Sequence, residues 1–267
     1  MTSFRSGVDR FDVVVVGARC AGSPLATMLS RRGFNVCLLD RAQFPSETPS
    51  THVIQPCGVQ MLDRLGALNA ILAAGAVPLD RLTMVNDDVR IEMTTDRTFD
   101  WPALCVRRVT LDALLVDAAR EAGADVRTEC RVTRLVMDGG RVAGVETDAG
   151  PIHAQLVVGA DGRHSTVASL VRASEYHVSP PGRMAAWAYF EGVAHREGRM
   201  WLGLSESWRI LPGQPTETCT WAPSQQVSQT RRSFMPTATP TSLPVSGHGP
   251  SLPMWSSVDV VLVRFAC

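Results

Sequence analysis

The sequence predicts an α/β protein: a doubly wound, Rossmann-like domain, an antiparallel β portion beside it, and an irregular C-terminal tail. Three observations carry the prediction. A β-branched run, Val13 to Val16, feeds Gly17, and Gly22 follows five positions later at the start of an amphipathic stretch. A second apolar run, NVCLL at 35–39, ends in Asp40 and completes a strand–helix–strand unit of about 30 residues. A third, QLVVGA at 155–160, leads into Asp161-Gly162. Short apolar runs closed by glycine or aspartate are the pattern of parallel strands buried on both faces.

In chain order, residues 12–16 form the first strand and 22–32 a helix, with Leu25, Met28 and Leu29 on one face and Gly33 as its stop. The strand at 35–39 is followed by helical segments at 57–65 and 68–74, closed by Gly66 and Gly75. LTMVNDDVRIEM, 82–93, alternates like a hairpin turning at Asn86-Asp87-Asp88. Thr110 is placed to cap a helix over 111–122, in which Leu111, Leu114, Leu115 and Ala118 share a face and Gly123 is the stop. Strands follow at 125–128, 131–137 and 141–147, the last two joined by Asp138-Gly139-Gly140, a tight-turn sequence. Ser165 can cap a short helix over 165–171, and 183–191 opens a further sheet. The expected organisation is a discontinuous nucleotide-binding domain at 10–80 and 103–173, part of a second domain at 81–102 and 174–211, and an irregular tail at 212–267. Residues 212–253 hold eight of the 17 prolines, 13 serines or threonines and one acid, Glu217. Two explanations stay open: a native tail of disorder-prone composition, or non-native sequence read out of frame from a G+C-rich gene.

A chain of 267 residues can form one large domain or two small ones. Its formal net charge of +0 gives no reason to expect nucleic acid or an anionic membrane as partner. No apolar run approaches the ~20 residues of a spanning helix. The opening MTSFRSGVDR lacks the apolar core of an export signal, and the seven cysteines are scattered with no C-x-x-C pair. The expectation is a cytoplasmic protein with reduced thiols and no bound metal; oligomeric state is left undetermined. All 26 basic residues are arginine, which excludes a P-loop lysine, a Schiff-base lysine and a Tyr-x-x-x-Lys pair.

The stretch VVVVGARCAG, 13–22, departs from G-x-G-x-x-G only in having Arg19 at the middle glycine. Gly17 allows a sharp exit from the strand, the following helix offers unpaired N–H groups and the positive end of its dipole to a diphosphate, and Gly22 lets helix and strand pack closely. Asp40, 23 residues after Gly17, can accept from both hydroxyls of an adenosine ribose and would repel a 2′-phosphate, which disfavours NADP in this turn. Arg19 is expected beside the phosphates or near the ring end of a cofactor, or else on the surface. Cys20 lies near a helix N-terminus, where a thiol pKa can fall, or is simply a small packed residue. Arg107-Arg108-Val109-Thr110-Leu111-Asp112 puts arginine at a helix N-terminus, against the dipole, which implies an anionic partner. His52 is an acid–base candidate or a structural histidine. The candidate cofactor-binding residues are Gly17, Ala18, Arg19, Cys20, Ala21, Gly22, Asp40, Arg41, Arg108, Asp161 and Gly162; no catalytic residue is assigned.

The first turn, the Arg-x-x-Leu-Asp stretch at 108–112 and Gly159-Ala160-Asp161-Gly162 together resemble the FAD-dependent oxidoreductases of the aromatic-hydroxylase and geranylgeranyl-reductase type, a family that also includes flavin-dependent halogenases. STHVIQPCGVQMLDRLG, 50–66, resembles the family segment that runs along the flavin, and the resemblance spans roughly 10–200. It implies that the first turn holds the ADP part of FAD, that Arg108 contributes to the cofactor and that 159–162 lies behind it. It further implies an NAD(P)H-linked monooxygenation or reduction of an apolar or aromatic small molecule, and that 81–102 and 174–211 belong to a substrate domain. The family's downstream Gly-Asp pair is absent from this chain. An NAD-dependent dehydrogenase and a non-catalytic fragment unable to retain flavin stay open as alternatives.

Overall fold

The computed structural model describes residues 9–48, 50, 52–86, 89–94, 100–175, 183–190, 198–203, 209–212, 218–221 and 258–265. The elements begin with β1 (Arg10–Val16), α1 (Gly22–Ser30), β2 (Val36–Leu39), β3 (Val53–Ile54), α2 (Pro56–Arg64) and α3 (Leu68–Ala73). Then come β4 (Val77–Leu79), β5 (Arg81–Asn86), β6 (Val89–Thr94), β7 (Ala103–Cys105), α4 (Arg108–Glu121) and β8 (Asp125–Arg127). They continue with β9 (Val132–Asp138), β10 (Arg141–Thr147), β11 (Gly150–Gly159) and α5 (Thr166–Leu170). The chain closes with β12 (Arg183–Phe190), β13 (Arg199–Gly203), β14 (Arg209–Pro212), β15 (Thr218–Trp221) and β16 (Val258–Phe265). Two compact units result. The first is Met1–Thr48, Met61–Ala74 and Arg108–Tyr176; the second is Pro49–Gln60, Gly75–Arg107 and His177–Cys267.

The first unit is built on a six-stranded sheet of order β8-β2-β1-β11-β10-β9. Its first four strands are parallel, and β10 and β9 extend it as an antiparallel hairpin. β1 is central, and its valines work on both faces. Val13 and Val15 pack with Val36 and Leu38 against Ala26 of α1 and Val116 and Ala119 of α4. Val14 and Val16 pack with Cys37, Leu39, Val145 and Ile152 on the other side. This two-sided burial is why these strands read as continuous rather than alternating apolar runs. Each fully buried valine or leucine contributes roughly 1.5–3 kcal/mol, so this core rather than local propensity fixes the turns at its edge.

The largest boundary differences from expectation fall in α1, α4 and β11. α1 ends at Ser30 and Gly33 (φ 86°) follows the terminal turn. α4 starts at Arg108, so Thr110 lies inside the helix rather than capping it. The reason is the Arg108–Asp112 ion pair, an i,i+4 contact at 2.9 Å that spans the first turn. β11 starts at Gly150, before the expected 155, because it continues a hairpin with β10 in which Thr147 faces Gly150. Gly139 (φ 54°) and Gly140 (φ 83°) turn β9 into β10 as the Asp-Gly-Gly sequence demands.

In the second unit, β3-β7-β4 and β13-β5-β6 form two three-stranded sheets, and β12 pairs with β16 and β14 with β15. The expected hairpin at 82–93 is β5–β6, with Asn86 opposite Val89; Asp87 and Asp88 lie outside the described residues. Among the described residues of 212–267 lie β15 and β16, the latter running antiparallel to β12 from Arg183↔Phe265 to Phe190↔Val258. VDVVLVRF is apolar and β-branched, a strand pattern hidden by the composition of the stretch before it. The other residues of that segment, apart from Pro212 at the end of β14, lie outside the described ones. No helix among the described residues is long and apolar enough to cross a membrane.

Candidate functional site

The first turn and the second glycine-containing turn meet. Gly17 has φ 103°, and a Cβ there would overlap the Ala160 carbonyl oxygen and lie 2.8 Å from the Asp161 Cα. The contact is fixed by sheet hydrogen bonds on either side: Ala160 N–H donates to the Val16 carbonyl at 2.7 Å and Gly17 N–H to that of Leu39 at 2.7 Å. Gly22 is packed as tightly, since a Cβ on it would overlap the Gly17 carbonyl oxygen and approach Val15 Cγ1 to 3.2 Å. Both outer glycines of the motif are therefore required by backbone contact. The N-cap of α1 is Ala21, which makes no side-chain cap hydrogen bond, and the first turn of the helix holds no acidic residue. A helix start without an anionic side chain suits an anionic ligand. The glycine cradle and this donor set fit the ADP part of a dinucleotide.

Asp40 is buried and braces the turn. Its Oδ2 accepts the Ala18 N–H at 2.8 Å and its Oδ1 the Ala42 N–H at 2.8 Å. A carboxylate has about four acceptor sites, so each oxygen keeps capacity for a ribose hydroxyl. Arg41 beside it is exposed.

Asp112, which was not among the expected site residues, organises the rest. Its carboxylate is wholly buried and collects Arg19 Nη1 at 3.0 Å, Arg108 Nε at 3.0 Å and Nη2 at 2.9 Å, and the Cys20 thiol at 3.3 Å. Arg19 also donates to Ser46 Oγ at 2.8 Å and to Thr48 Oγ1, and lies over the Phe44 ring, 5.5 Å from its centroid. Arg19 is thus neither an unattached surface arginine nor directed at a ligand alone; it ties the turn to the 44–48 segment and to α4. The anionic partner implied for Arg108 is Asp112. The signal was present in Arg-x-x-Leu-Asp, where arginine and aspartate share a helix face at i,i+4.

Of the two readings of Cys20, the lowered thiol pKa is ruled out. Although the residue is exposed, desolvation by its surroundings pushes the thiol up to about 11; Arg108 opposes this, while Asp112 adds to it by its charge and by accepting the thiol hydrogen bond. Desolvation and a neighbouring carboxylate outweigh the helix start. At pH 8, iodoacetamide is expected to alkylate Cys20 roughly 100-fold more slowly than an ordinary thiol, because the thiolate is the nucleophile. Peptide mass spectrometry checks this against Cys57, which like Cys20 is exposed, so the comparison reads thiol acidity rather than access; equal rates at the two positions would contradict it.

Asp161 turns toward its own helix. Oδ1 accepts Ser165 Oγ–H at 2.5 Å and Oδ2 the Thr166 N–H at 2.6 Å, while Ser165 Oγ accepts the Ala168 N–H at 2.9 Å as the expected cap. Its carboxylate thereby fixes the 159–165 turn against α5. Gly162 (φ 86°) has open space where a Cβ would stand. His52 belongs to the second unit, is buried with φ 58°, donates its N–H to Ser50 Oγ at 3.1 Å and accepts the Val106 N–H at 2.9 Å through its carbonyl.

The chain matches a family described as FAD binding domain over residues 10–240. It is 34% identical over 174 residues to the 6-methylpretetramide 4-monooxygenase of Streptomyces rimosus, covering 60% of this chain and 40% of that one. It is 27% identical over 165 residues to a digeranylgeranylglycerophospholipid reductase of Haloferax volcanii, covering 60% and 37%. The chain thus spans about two fifths of the length of these curated relatives. Among solved structures, the fold resembles the myxobacterial chondrochloren halogenase CndH, with TM-score 0.73 and 23% identity over 85% of this chain and 55% of that one. It also resembles PqsL of Pseudomonas aeruginosa, described as a probable FAD-dependent monooxygenase, with TM-score 0.70 and 18% identity over 83% and 63%.

Proposed function

The chain belongs to the FAD binding domain family of FAD-dependent oxidoreductases, and from that premise we propose that it holds FAD by its ADP half at the first turn and serves NAD(P)H-linked monooxygenation or reduction of an apolar or aromatic small molecule. The observation that carries the reading is the meeting of the two glycine turns, in which Gly17 lies against Ala160 and Asp161. Three stretches far apart in sequence supply one site: the α1 start for the diphosphate, Asp40 for the ribose hydroxyls, and Arg19 with Arg108 as flanking cations. In this role Gly17, Ala18, Arg19, Cys20, Ala21 and Gly22 form the turn, Asp40 and Arg41 follow the second strand, and Asp161 and Gly162 back the site.

FAD supplies the redox chemistry when bound; the protein binds, orients and shields it from water. The thiol beside the first turn is not an activated nucleophile: Cys20 is held as a thiol by desolvation and by Asp112. The monooxygenase and reductase relatives support the two reaction classes, and neither fixes the substrate of this chain. A second reading, a non-catalytic fragment unable to retain flavin, is favoured by the absence from this sequence of the family's downstream Gly-Asp pair.

The test is a titration of the purified chain with FAD, followed in the visible spectrum, and then addition of NADH or NADPH with and without candidate aromatic substrates. Retention of the flavin band through gel filtration is expected. A chain that never retains FAD overturns the binding reading. Retained FAD that neither donor reduces leaves the binding reading standing and overturns NAD(P)H-linked turnover by this chain.

A further inference from the structure

We propose that Asp112 is the positioning residue of this site, its buried carboxylate presetting the guanidinium groups of Arg19 and Arg108 for the diphosphate of a dinucleotide. The inference rests on the FAD-binding reading above. Four donors from three residues converge on its two oxygens: Oδ1 accepts Cys20 Sγ and Arg108 Nε, and Oδ2 accepts Arg19 Nη1 and Arg108 Nη2. That fills the roughly four acceptor sites of a carboxylate, so Asp112 has nothing left with which to receive a ligand. Its side chain is 0% exposed, whereas Arg19 keeps 29% and Arg108 19% of their side-chain surface. The anion is sealed inside and the two cations it holds reach the surface.

One arginine comes from the first turn and the other from α4, elements 93 residues apart at the Arg19–Asp112 pair. A guanidinium on a free side chain must lose rotamer freedom to meet a phosphate, and fixing two of them in advance removes that cost from binding. Within the cluster two guanidinium groups share one carboxylate, so a positive charge remains for an incoming anion. The Ser46, Thr48 and Phe44 contacts complete the fixing of Arg19.

Charge and positioning make opposite predictions for Asp112→Asn. Removing a negative charge beside the turn raises the local potential, so a purely electrostatic role predicts tighter binding of an anion. A positioning role predicts weaker binding, because an amide offers one acceptor oxygen and sets its own N–H donors against those of the arginines. ADP is the probe, since it tests the diphosphate contacts without the flavin, and calorimetry on the full chain reads its Kd. Asp112→Asn is expected to weaken ADP binding at least ~10-fold, the size of coupling typical for a shared charged network. Asp112→Glu, which keeps the charge and moves it by one methylene, is expected to weaken it less. The Asp112→Asn loss should shrink in an Arg19→Ala background, as the variant then has one cation fewer to misplace. The Cys20 alkylation rate gives a ligand-free readout and should rise in Asp112→Asn, since the carboxylate that holds the thiol proton is gone.

Equal or tighter ADP binding by a folded Asp112→Asn overturns the proposal while leaving FAD binding intact. Should Asp112→Asn fail to fold, Asp112→Glu decides, with unchanged ADP affinity overturning it. A wild-type chain that binds neither ADP nor FAD overturns the binding reading, and this proposal falls with it.

Discussion

Gly22→Ala is expected to abolish dinucleotide binding and to lower the thermal midpoint by about 6–12 °C. The added methyl would overlap the Gly17 carbonyl oxygen and come within 2.9 Å of the Gly17 carbonyl carbon. These are backbone atoms, held by the Gly17–Leu39 hydrogen bond, and cannot swing aside as a side chain tip could. Relief requires α1 to back away from β1, which opens contacts among Val15, Ala26 and Leu38 in the most buried part of the molecule. Overpacking of a tight core costs roughly 1–3 kcal/mol, and at the upper end this gives the stated shift in a chain of this size. Displacing the helix start also moves its amides away from the diphosphate. Thermal unfolding and an FAD titration check the two effects separately. A variant that binds FAD as tightly as the parent would show that the close approach of helix and strand is not what the cofactor needs.

Gly144→Ala is expected to destabilise by a similar ~3 kcal/mol while leaving cofactor affinity of the folded protein unchanged. Gly144 has φ 155°, lies at a register irregularity in β10 and would bring a Cβ onto the Ile152 carbonyl oxygen, with His153 Cα at 2.9 Å. The strain combines a backbone conformation that L residues avoid with a collision against the neighbouring strand. Yet it falls on the hairpin side of the sheet, separated from the first turn by β11. Denaturant unfolding gives the stability change, and ADP calorimetry well below the new midpoint gives the affinity. A large loss of affinity in Gly144→Ala would mean that the hairpin and the turn are coupled through β11 rather than independent. The pair of glycine variants thus separates fold from function at equal structural cost.

Much of the architecture was legible because its determinants are local. Two-sided burial writes parallel strands as apolar runs, and the outer glycines of the turn mark where backbone meets backbone. Asp40 was legible as a residue of the first turn from its distance to Gly17, although its hold on Ala18 and Ala42 was not. What escaped is non-local. Arg19 could be read only as ligand-facing or solvated, since Phe44, Ser46, Thr48 and Asp112 are neighbours in space and not in sequence. Cys20 was left open between two readings for the same reason: the helix start beside it is visible in sequence, and the carboxylate 92 residues away is not. The α4 start was placed three residues late because a threonine is a good cap in isolation, whereas the Arg108–Asp112 pair recruits the preceding turn into the helix. β16 was hidden by averaging: eight strand-forming residues follow a long proline- and serine-rich stretch.

The order of strands also carries a consequence for how the chain must be made. β1 has β2 on one side and β11 on the other, with Val13 opposite Val36 and also opposite Leu156. During synthesis the first neighbour is available at once, but the second emerges only after well over a hundred further residues. Until then the valine strand has one open edge, and closing it means forming a loop of that length before any pairing energy returns. At about 5–20 residues per second, the ribosome leaves that edge uncovered for several seconds to tens of seconds. A product that stops short of β11 would keep that edge open, and its most apolar strand would be free to pair with other molecules.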